Sequence, residues 1–234
     1  MRLIFSCSIL LASLVWAVTA SATTTYSNID GMSGWSSCTT CAGRNGSGPT
    51  ASFSMLRGIS SPSLDGSSVQ FNLGGSTPYA NALWWKQLGG NSGATHFVYD
   101  LYFYLKTPTA AQALEFDINQ SANGHKYIFG HECDFKGSHT WRVWGASTSW
   151  VSTGIGCSVV KAYTWNHLTL EVQRINGQSK FIAITLNGNK HYVNRSFSPK
   201  SSSVSEINVA FQMDGNSTMT DYSTWLDKVK LTYW

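Results

Sequence analysis

Residues 95–108, THFVYDLYFYLKTP, alternate with a period of two. Phe97, Tyr99, Leu101, Phe103 and Leu105 form one set, while Val98, Asp100, Tyr102 and Tyr104 form the other. Such alternation marks a half-buried strand, with one set facing inward. Pro108 closes the strand. Thr107-Pro108 is the one plausible helix start in the chain, and it can open a single turn at most because strand patterning resumes by Leu114.

The pattern continues in both directions. SVQFNLGG, AQALEFDINQ, HKYIFGHECDF, HTWRVWGA and WVSTGIGCSVV all read as strands, as do SEINVAFQMDG and the terminal STWLDKVKLTYW. WNHLTLEVQRINGQSKFIAITLNGNKHYVN reads as three more, divided at Asn176-Gly177 and Asn187-Gly188. Asn-Gly pairs suit two-residue type I′ hairpins, where both positions need φ > 0. Around ten or more strands without a helical crossover imply antiparallel sheets. The expected fold class is therefore all-β, a two-sheet antiparallel sandwich of the jelly-roll type.

The 234 residues suit one such domain. Residues 1–22 read as a secretory signal: Arg2, then an apolar stretch, then Ala20-Ser21-Ala22 as a small-residue cleavage site. The apolar run ends near Val18 and none of comparable length follows, so an exported protein without a membrane partner is expected. Residues 23–62 are Gly/Ser-rich and read as a loop-like segment, with the sandwich spanning 63–234.

Cys7 leaves with the signal, so Cys38, Cys41, Cys133 and Cys157 remain for an oxidising compartment. Local closure, Cys38 with Cys41 and Cys133 with Cys157, is favoured over the two crossed pairings. Cys38-Thr-Thr-Cys41 also has the spacing of a redox motif or half a zinc site. No amphipathic helix follows it, however, and a second CxxC is missing.

Charged residues are only 12% of the chain and the formal net charge is +4. Without Lys/Arg runs, nucleic acid is an unsuited partner. Low charge with many aromatic and amide groups suits a neutral, hydroxyl-rich ligand, and also suits extracellular sandwiches with none.

Within ALEFDINQ (113–120), Leu114, Phe116 and Ile118 share the core side of a strand. Glu115, Asp117 and Asn119 share the other, at roughly 7 Å intervals. Glu132 and Asp134 repeat the period on the next strand. Packing explains the apolar set but not the acids. The bland alternative is a hydrated polar strip.

These strands resemble the concanavalin A-like lectin/glucanase superfamily. WNHLTLEV followed by ITLNGNKHYVN is similar to the Trp-x-His strand and Asn-Gly hairpin of laminin-G-like members. YSTWLDKVKLTYW is similar to their last strand, and the resemblance covers about residues 65 to 234. It implies a curved jelly roll whose concave sheet carries a ligand cleft. EFDIN resembles a degenerate form of the Glu-x-Asp-x-Glu motif of laminarinase-type glucanases. Carried over, Glu115 is the nucleophile and Asp117 its helper. The acid position then falls on Asn119, or on Gln120 in the bulged form, and neither amide donates a catalytic proton. Glu132 or Asp134 is the candidate substitute. Legume-type lectins also carry Glu-x-Asp, there binding Mn²⁺ and Ca²⁺. The corresponding weak metal set here is Glu115, Asp117, Asn123 and His125, with Asn119 close by, but it lacks the family's second Asp. No cofactor is expected, and Ca²⁺ is the one ion such a set would suit.

Ten Trp and ten Tyr exceed what a core needs, and such rings stack on sugars. Trp84 and Trp85 are adjacent, so one points in and one out, and Arg142 shares a face with Trp144. Gln212, Asp214 and Asn216 end a strand at a polar turn and are secondary ligand candidates. His125, His131 and His139 fit no metal-binding spacing, and His167 reads as structural. No Ser nucleophile elbow or phosphate loop is present.

The expected function is polysaccharide binding on the concave sheet by an exported monomer, without efficient catalysis. The ligand set is Glu115, Asp117, Asn119, Trp84, Trp85, Trp144, Gln212 and Asp214. The rivals are a glycan-cleaving enzyme and a structural or adhesive surface protein. A hydrolase would use Glu115 and Asp117, with Glu132 as acid. A lyase would use a Tyr or His base with an amide or Arg.

Overall fold

In a computed structural model, residues 22–41, 48–145, 149–157 and 160–234 are described. The signal reading of residues 1–22 therefore lies outside them, Ala22 excepted. Among the described residues sixteen strands carry the fold. The first five are β1 (Thr24–Tyr26), β2 (Trp35–Cys38), β3 (Ser52–Ile59), β4 (Ser68–Gly74) and β5 (Asn81–Gln87). Then come β6 (His96–Leu105), β7 (Ala111–Ala122), β8 (His125–Asp134), β9 (Thr140–Trp144) and β10 (Trp150–Gly156). The last six are β11 (Trp165–Ile175), β12 (Gln178–Leu186), β13 (Asn189–Phe197), β14 (Lys200–Ser201), β15 (Glu206–Gly215) and β16 (Tyr222–Tyr233).

Sheet A runs β13-β12-β11-β6-β16-β4-β3, with β1 added to β16. Sheet B runs β10-β9-β8-β7-β15-β5-β2, with β14 added to β8. All pairings are antiparallel, as expected for a sandwich whose outer faces meet water. In β6 the set Phe97, Tyr99, Leu101, Phe103 and Leu105 is the buried one. It packs against the inner face of sheet B, with Phe103 5.2 Å from Phe116 and Phe97 5.9 Å from Phe129 between ring centroids. Phe211 continues the stack to Phe116 (5.4 Å) and Phe71 (4.9 Å).

The hairpins follow turn chemistry. Asn176-Gly177 (φ 51° and 69°) and Asn187-Gly188 (φ 50° and 82°) both adopt the left-handed pair of a type I′ turn. Thr107-Pro108 opens only a one-turn 3-10 segment, Pro108–Ala110.

The segment 23–62, read as loop-like, carries β1, β2 and β3, which pair with β16, β5 and β4. It therefore belongs to both sheets, and no boundary falls at residue 62. Both disulfides close locally, Cys38 with Cys41 and Cys133 with Cys157. The second joins β8 to the end of β10 across β9, with both cysteines buried. No helix among the described residues is long and apolar enough to cross a membrane.

Candidate functional site

On β7 the side chains of Leu114, Phe116 and Ile118 lie fully in the core. Glu115, Asp117 and Asn119 therefore project from the outer face of sheet B. Strand register then assembles what the sequence only lists. Glu115 pairs with Glu132 on β8 and with Gln212 on β15, and Glu132 pairs with Arg142 on β9. The next row holds Asp117 between Gly130 and Ala210, flanked by Trp85 on β5. Trp144 on β9 faces Trp150 on β10, their rings edge-on at 5.1 Å. A third row brings Asn119 beside Asn208, whose amide oxygen accepts from Asn119 at 3.1 Å. Asp214 lies one row from Gln212, opposite Asn81.

Gly130 explains the packing around Asp117. A Cβ there would sit 3.1 Å from Trp144, 3.3 Å from Asp117 Oδ1 and 3.3 Å from the tip of Trp150. The bare backbone lets both indoles close over this point beside the carboxylate.

The acids are crowded and dry. Gln212 Nε2 donates to Glu115 Oε1 at 2.5 Å and to Asp214 Oδ1 at 3.0 Å. Burial, followed by the charges of Asp214, Asp117 and Glu132, pushes the Glu115 carboxyl well above the usual range. Burial also raises Asp117 to about 7, against the pull of the His131 backbone N–H. Glu132 rises to about 8 through burial and Asp214, although Arg142 opposes the shift. Asp214 rises to about 6, again chiefly through burial. Among the described residues Arg142 is the one cation paired within this group, to Glu132 and, at 3.4 Å, to Asp134, while Lys126 is near enough to pull Asp117 down.

Asp134 differs from the rest. Burial pushes it up, but backbone N–H groups of Ser138 (2.7 Å) and Gly137 (2.9 Å), with Arg142, hold it below the usual range. It anchors the β8–β9 turn and stays ionised, so it cannot serve as the substitute acid. Glu132 is the remaining candidate, its carboxyl raised to about 8 chiefly by burial and lying directly opposite Glu115. β7 runs without a bulge through residues 113–122, so Gln120 points inward and donates to the Asn91 and Ala94 carbonyls. The bulged motif is thereby excluded.

Other expected ligands fall elsewhere. Trp84 is 2% exposed and packs with Phe71 and Phe211, so it belongs to the core, and Trp85 is the outward partner. Asn216 caps the β15–β16 turn, its Oδ1 accepting from the Thr218 and Thr220 backbone N–H groups. Asn123 and His125 sit at the β7–β8 turn, where His125 Nδ1 meets the Asn123 carbonyl at 2.9 Å. Six residues of strand separate Asp117 from Asn123, roughly 20 Å. The lectin-type metal set is not brought together. Among the described residues no group of three or more His, Cys, Asp or Glu side chains is placed to hold a metal. The outward positions of the central strands carry no Tyr or His either. His131 is buried on the core side against Phe181, and burial lowers it to about 3. His167 is structural, bonded to Asp100 at 2.9 Å and stacked on Tyr102.

One feature carries no sequence signal. Among the described residues, thirteen buried side-chain polar atoms lack a hydrogen-bond partner. Five of them share this face: Asn81 Oδ1, Asp117 Oδ1, Glu132 Oε2, Arg142 Nε and Trp144 Nε1. Buried polar groups are normally paired, so such a concentration of donors and acceptors is suited to a hydrogen-bonding ligand.

No protein-family model and no curated protein sequence matches this chain. Solved structures do. An endo-β-1,4-glucuronan lyase from the fungus Trichoderma reesei superposes with a TM-score of 0.51 at 12% identity, over 85% of this chain and 94% of that one. Winged bean acidic lectin, bound to methyl-α-D-galactose, gives 0.51 at 10% identity, over 91% and 98%. An alginate lyase gives 0.50 at 10% identity, over 72% and 81%. At such identities the likeness concerns fold alone. With two eight-stranded antiparallel sheets and these structural neighbours, the chain is a concanavalin A-like jelly roll.

Proposed function

We propose that this chain is an exported protein that binds a neutral polysaccharide on the outer face of sheet B. The observation that carries the reading is the cluster of unpartnered donors and acceptors beside Trp85, Trp144 and Trp150. Carboxylates and amides accept and donate to vicinal hydroxyls, while indole faces cover the apolar side of a sugar ring. Four carboxyls held above their usual range lower stability, a burden typical of functional sites. Neutral sugar is favoured over anionic polymer because the acids Glu115, Asp117, Glu132, Asp134 and Asp214 outnumber the cations beside them, which are Arg142, Lys126 and, over the Trp144 ring, Lys200. Structural neighbours named as a lectin and as glycan lyases agree with a glycan partner. Two local disulfides and the leader-like residues 1–22 support export.

Hydrolysis is the second reading, favoured by one arrangement. Glu115 and Glu132 lie directly opposite on adjacent strands, with Cβ atoms about 4.5–5.5 Å apart by strand geometry. Retaining glycosidases need carboxyl groups about 5–5.5 Å apart.

Electrophoresis through gels containing β-glucan, mannan, alginate or pectate tests both. Retardation by a neutral polymer and not by the anionic ones is expected. Asp117→Ala should weaken it about tenfold, the scale of a hydrogen bond to a charged group. Stronger retardation by alginate or pectate would overturn the neutral-glycan reading. A parallel reducing-end assay decides catalysis: product that disappears in Glu115→Gln makes the protein a hydrolase.

A further inference from the structure

We infer that the molecule carries a second saccharide site, a groove at the rim of sheet A on the side away from the carboxyl cluster. There β3 begins, β4 ends and β16 begins, side by side. The groove has a volume of about 440 Å³ and is lined by residues 52–54, 72–74 and 221–223. Small-ligand sites span roughly 300–1,000 Å³.

Register and turn chemistry build it. Ser54, Asn72 and Ser223 form one cross-strand row on the outer face of sheet A. Asn72 Nδ2 donates to Ser54 Oγ at 2.9 Å, and Ser223 Oγ donates to Asn72 Oδ1 at 2.6 Å. Gln70 Nε2 donates to the same Asn72 oxygen at 2.7 Å. The amide is thus fixed, and the Ser54 hydroxyl, already accepting from Asn72, keeps its own proton to donate outward.

The next row has no side chain at Gly74. A Cβ there would meet the Asp221 carboxylate within 3 Å, so Asp221 lies flat across the bare backbone. It is fixed by the Gly75 N–H, which donates to Oδ1 at 3.3 Å. Its second oxygen remains able to accept. Phe53, paired with Leu73, projects to the opposite, core-side face of the sheet, where its ring lies edge-on to Trp84 at 5.8 Å.

One fixed carboxylate, two hydroxyls and an oriented amide match the hydrogen-bonding chemistry of an uncharged sugar. A phosphate or uronate would meet Asp221 without a counter-charge among the lining residues. A single carboxylate is too few for a dedicated cation site. Because β3 is the edge of sheet A, the groove opens sideways and a longer chain can run out of it. Two sites on opposite sheets make the protein bivalent, able to join two polymer strands or raise avidity on one surface.

Calorimetric titration of the full chain with laminarihexaose, cellohexaose and mannohexaose tests this. Two binding events per molecule are expected for at least one hexaose. Asn72→Ala/Asp221→Ala should remove one event or weaken it at least tenfold, and Trp85→Ala/Trp144→Ala should remove only the other. Because Asn72 ties β4 to both β3 and β16, Asp221→Asn alone, an exposed change, serves as the second variant and should lower the same event. Unchanged stoichiometry and affinity in both groove variants, or no binding of any hexaose, overturns the groove. If the groove event survives while the sheet B event is never seen, the second site stands and the proposed function falls.

Discussion

Stability is expected to rise as pH falls from 8.5 to 6, by roughly 5–10 °C in Tm. The direction follows from the carboxyl cluster. In the folded chain burial raises Asp214 to about 6, Asp117 to about 7 and Glu132 to about 8, with Glu115 higher than its usual range as well. Asp30, buried beneath β16 with its Oδ1 accepting from the Val229 N–H, is raised to about 6. A raised folded pKa means that the native state binds the proton more tightly than the unfolded chain. The stabilisation is complete below the unfolded values near 4 and is lost as pH climbs through 6 to 8.

A tenfold tighter hold on one proton corresponds to about 1.4 kcal/mol. Mutual coupling within the cluster reduces the total to a few kcal/mol. Two opposing contributions bound the effect on the acid side. His131, lowered to about 3 by burial, destabilises the fold progressively below about 6.5. Asp100 and Asp134 lie below the usual range despite burial, the first through Thr169 and His167, so their contribution disappears under about pH 4. One histidine does not outweigh five raised carboxyls, so a melting profile with its maximum near pH 4–5 is expected. A profile that rises steadily from pH 5 to 8.5 would show that the acids are ionised and compensated in the native state.

The adjacent tryptophans should separate cleanly. Trp84→Ala empties a core position 2% exposed and in contact with Phe53, Phe71 and Phe211. A loss of about 3–5 kcal/mol is expected, enough to lower Tm by roughly 10 °C or more. Trp85→Ala removes an outward, half-buried ring from the row of Asp117. It should shift Tm by no more than about 2 °C while reducing glycan retardation about fivefold or more, the scale of one stacking contact. Thermal melts and affinity gels on the two variants check both expectations. Equal destabilisation would mean that Trp85 is a packing residue.

The same pair shows what could be read in the chain. Alternation in β6 and the Asn-Gly hairpins are local signals, carried by neighbouring residues and by backbone φ, and they lead directly to the sandwich. In Ala82-Leu83-Trp84-Trp85 every residue is apolar, so alternation has no phase, and only pairing with β15 places Trp84 inside. β3 was hidden for a different reason. As an edge strand it is exposed along most of its length, and the alternation Ser-Phe-Ser-Met is lost from Leu56 onward, next to a register shift after Arg57.

The acids on β7 were legible as an outward set because Leu114, Phe116 and Ile118 define the other face. Their partners were not, since the meeting of Glu115 with Glu132 and Gln212, and of Glu132 with Arg142, depends on register between separate strands. The motif comparison pointed to Asn119 or Gln120 for the acid position, whereas the carboxyl beside Glu115 comes from Glu132 on the neighbouring strand. Metal ligands chosen by proximity in sequence failed because an extended strand carries Asn123 and His125 away from Asp117.

The most direct measurement is a ¹H–¹⁵N spectrum of the full chain titrated with laminarihexaose, cellohexaose and mannohexaose. Concerted shifts of the Trp85, Trp144 and Trp150 indole N–H signals and of the Asn119 and Gln212 side-chain amides are expected with at least one hexaose. If these signals stay fixed while other residues respond, or if no hexaose moves them, the outer face of sheet B is not a neutral-glycan site.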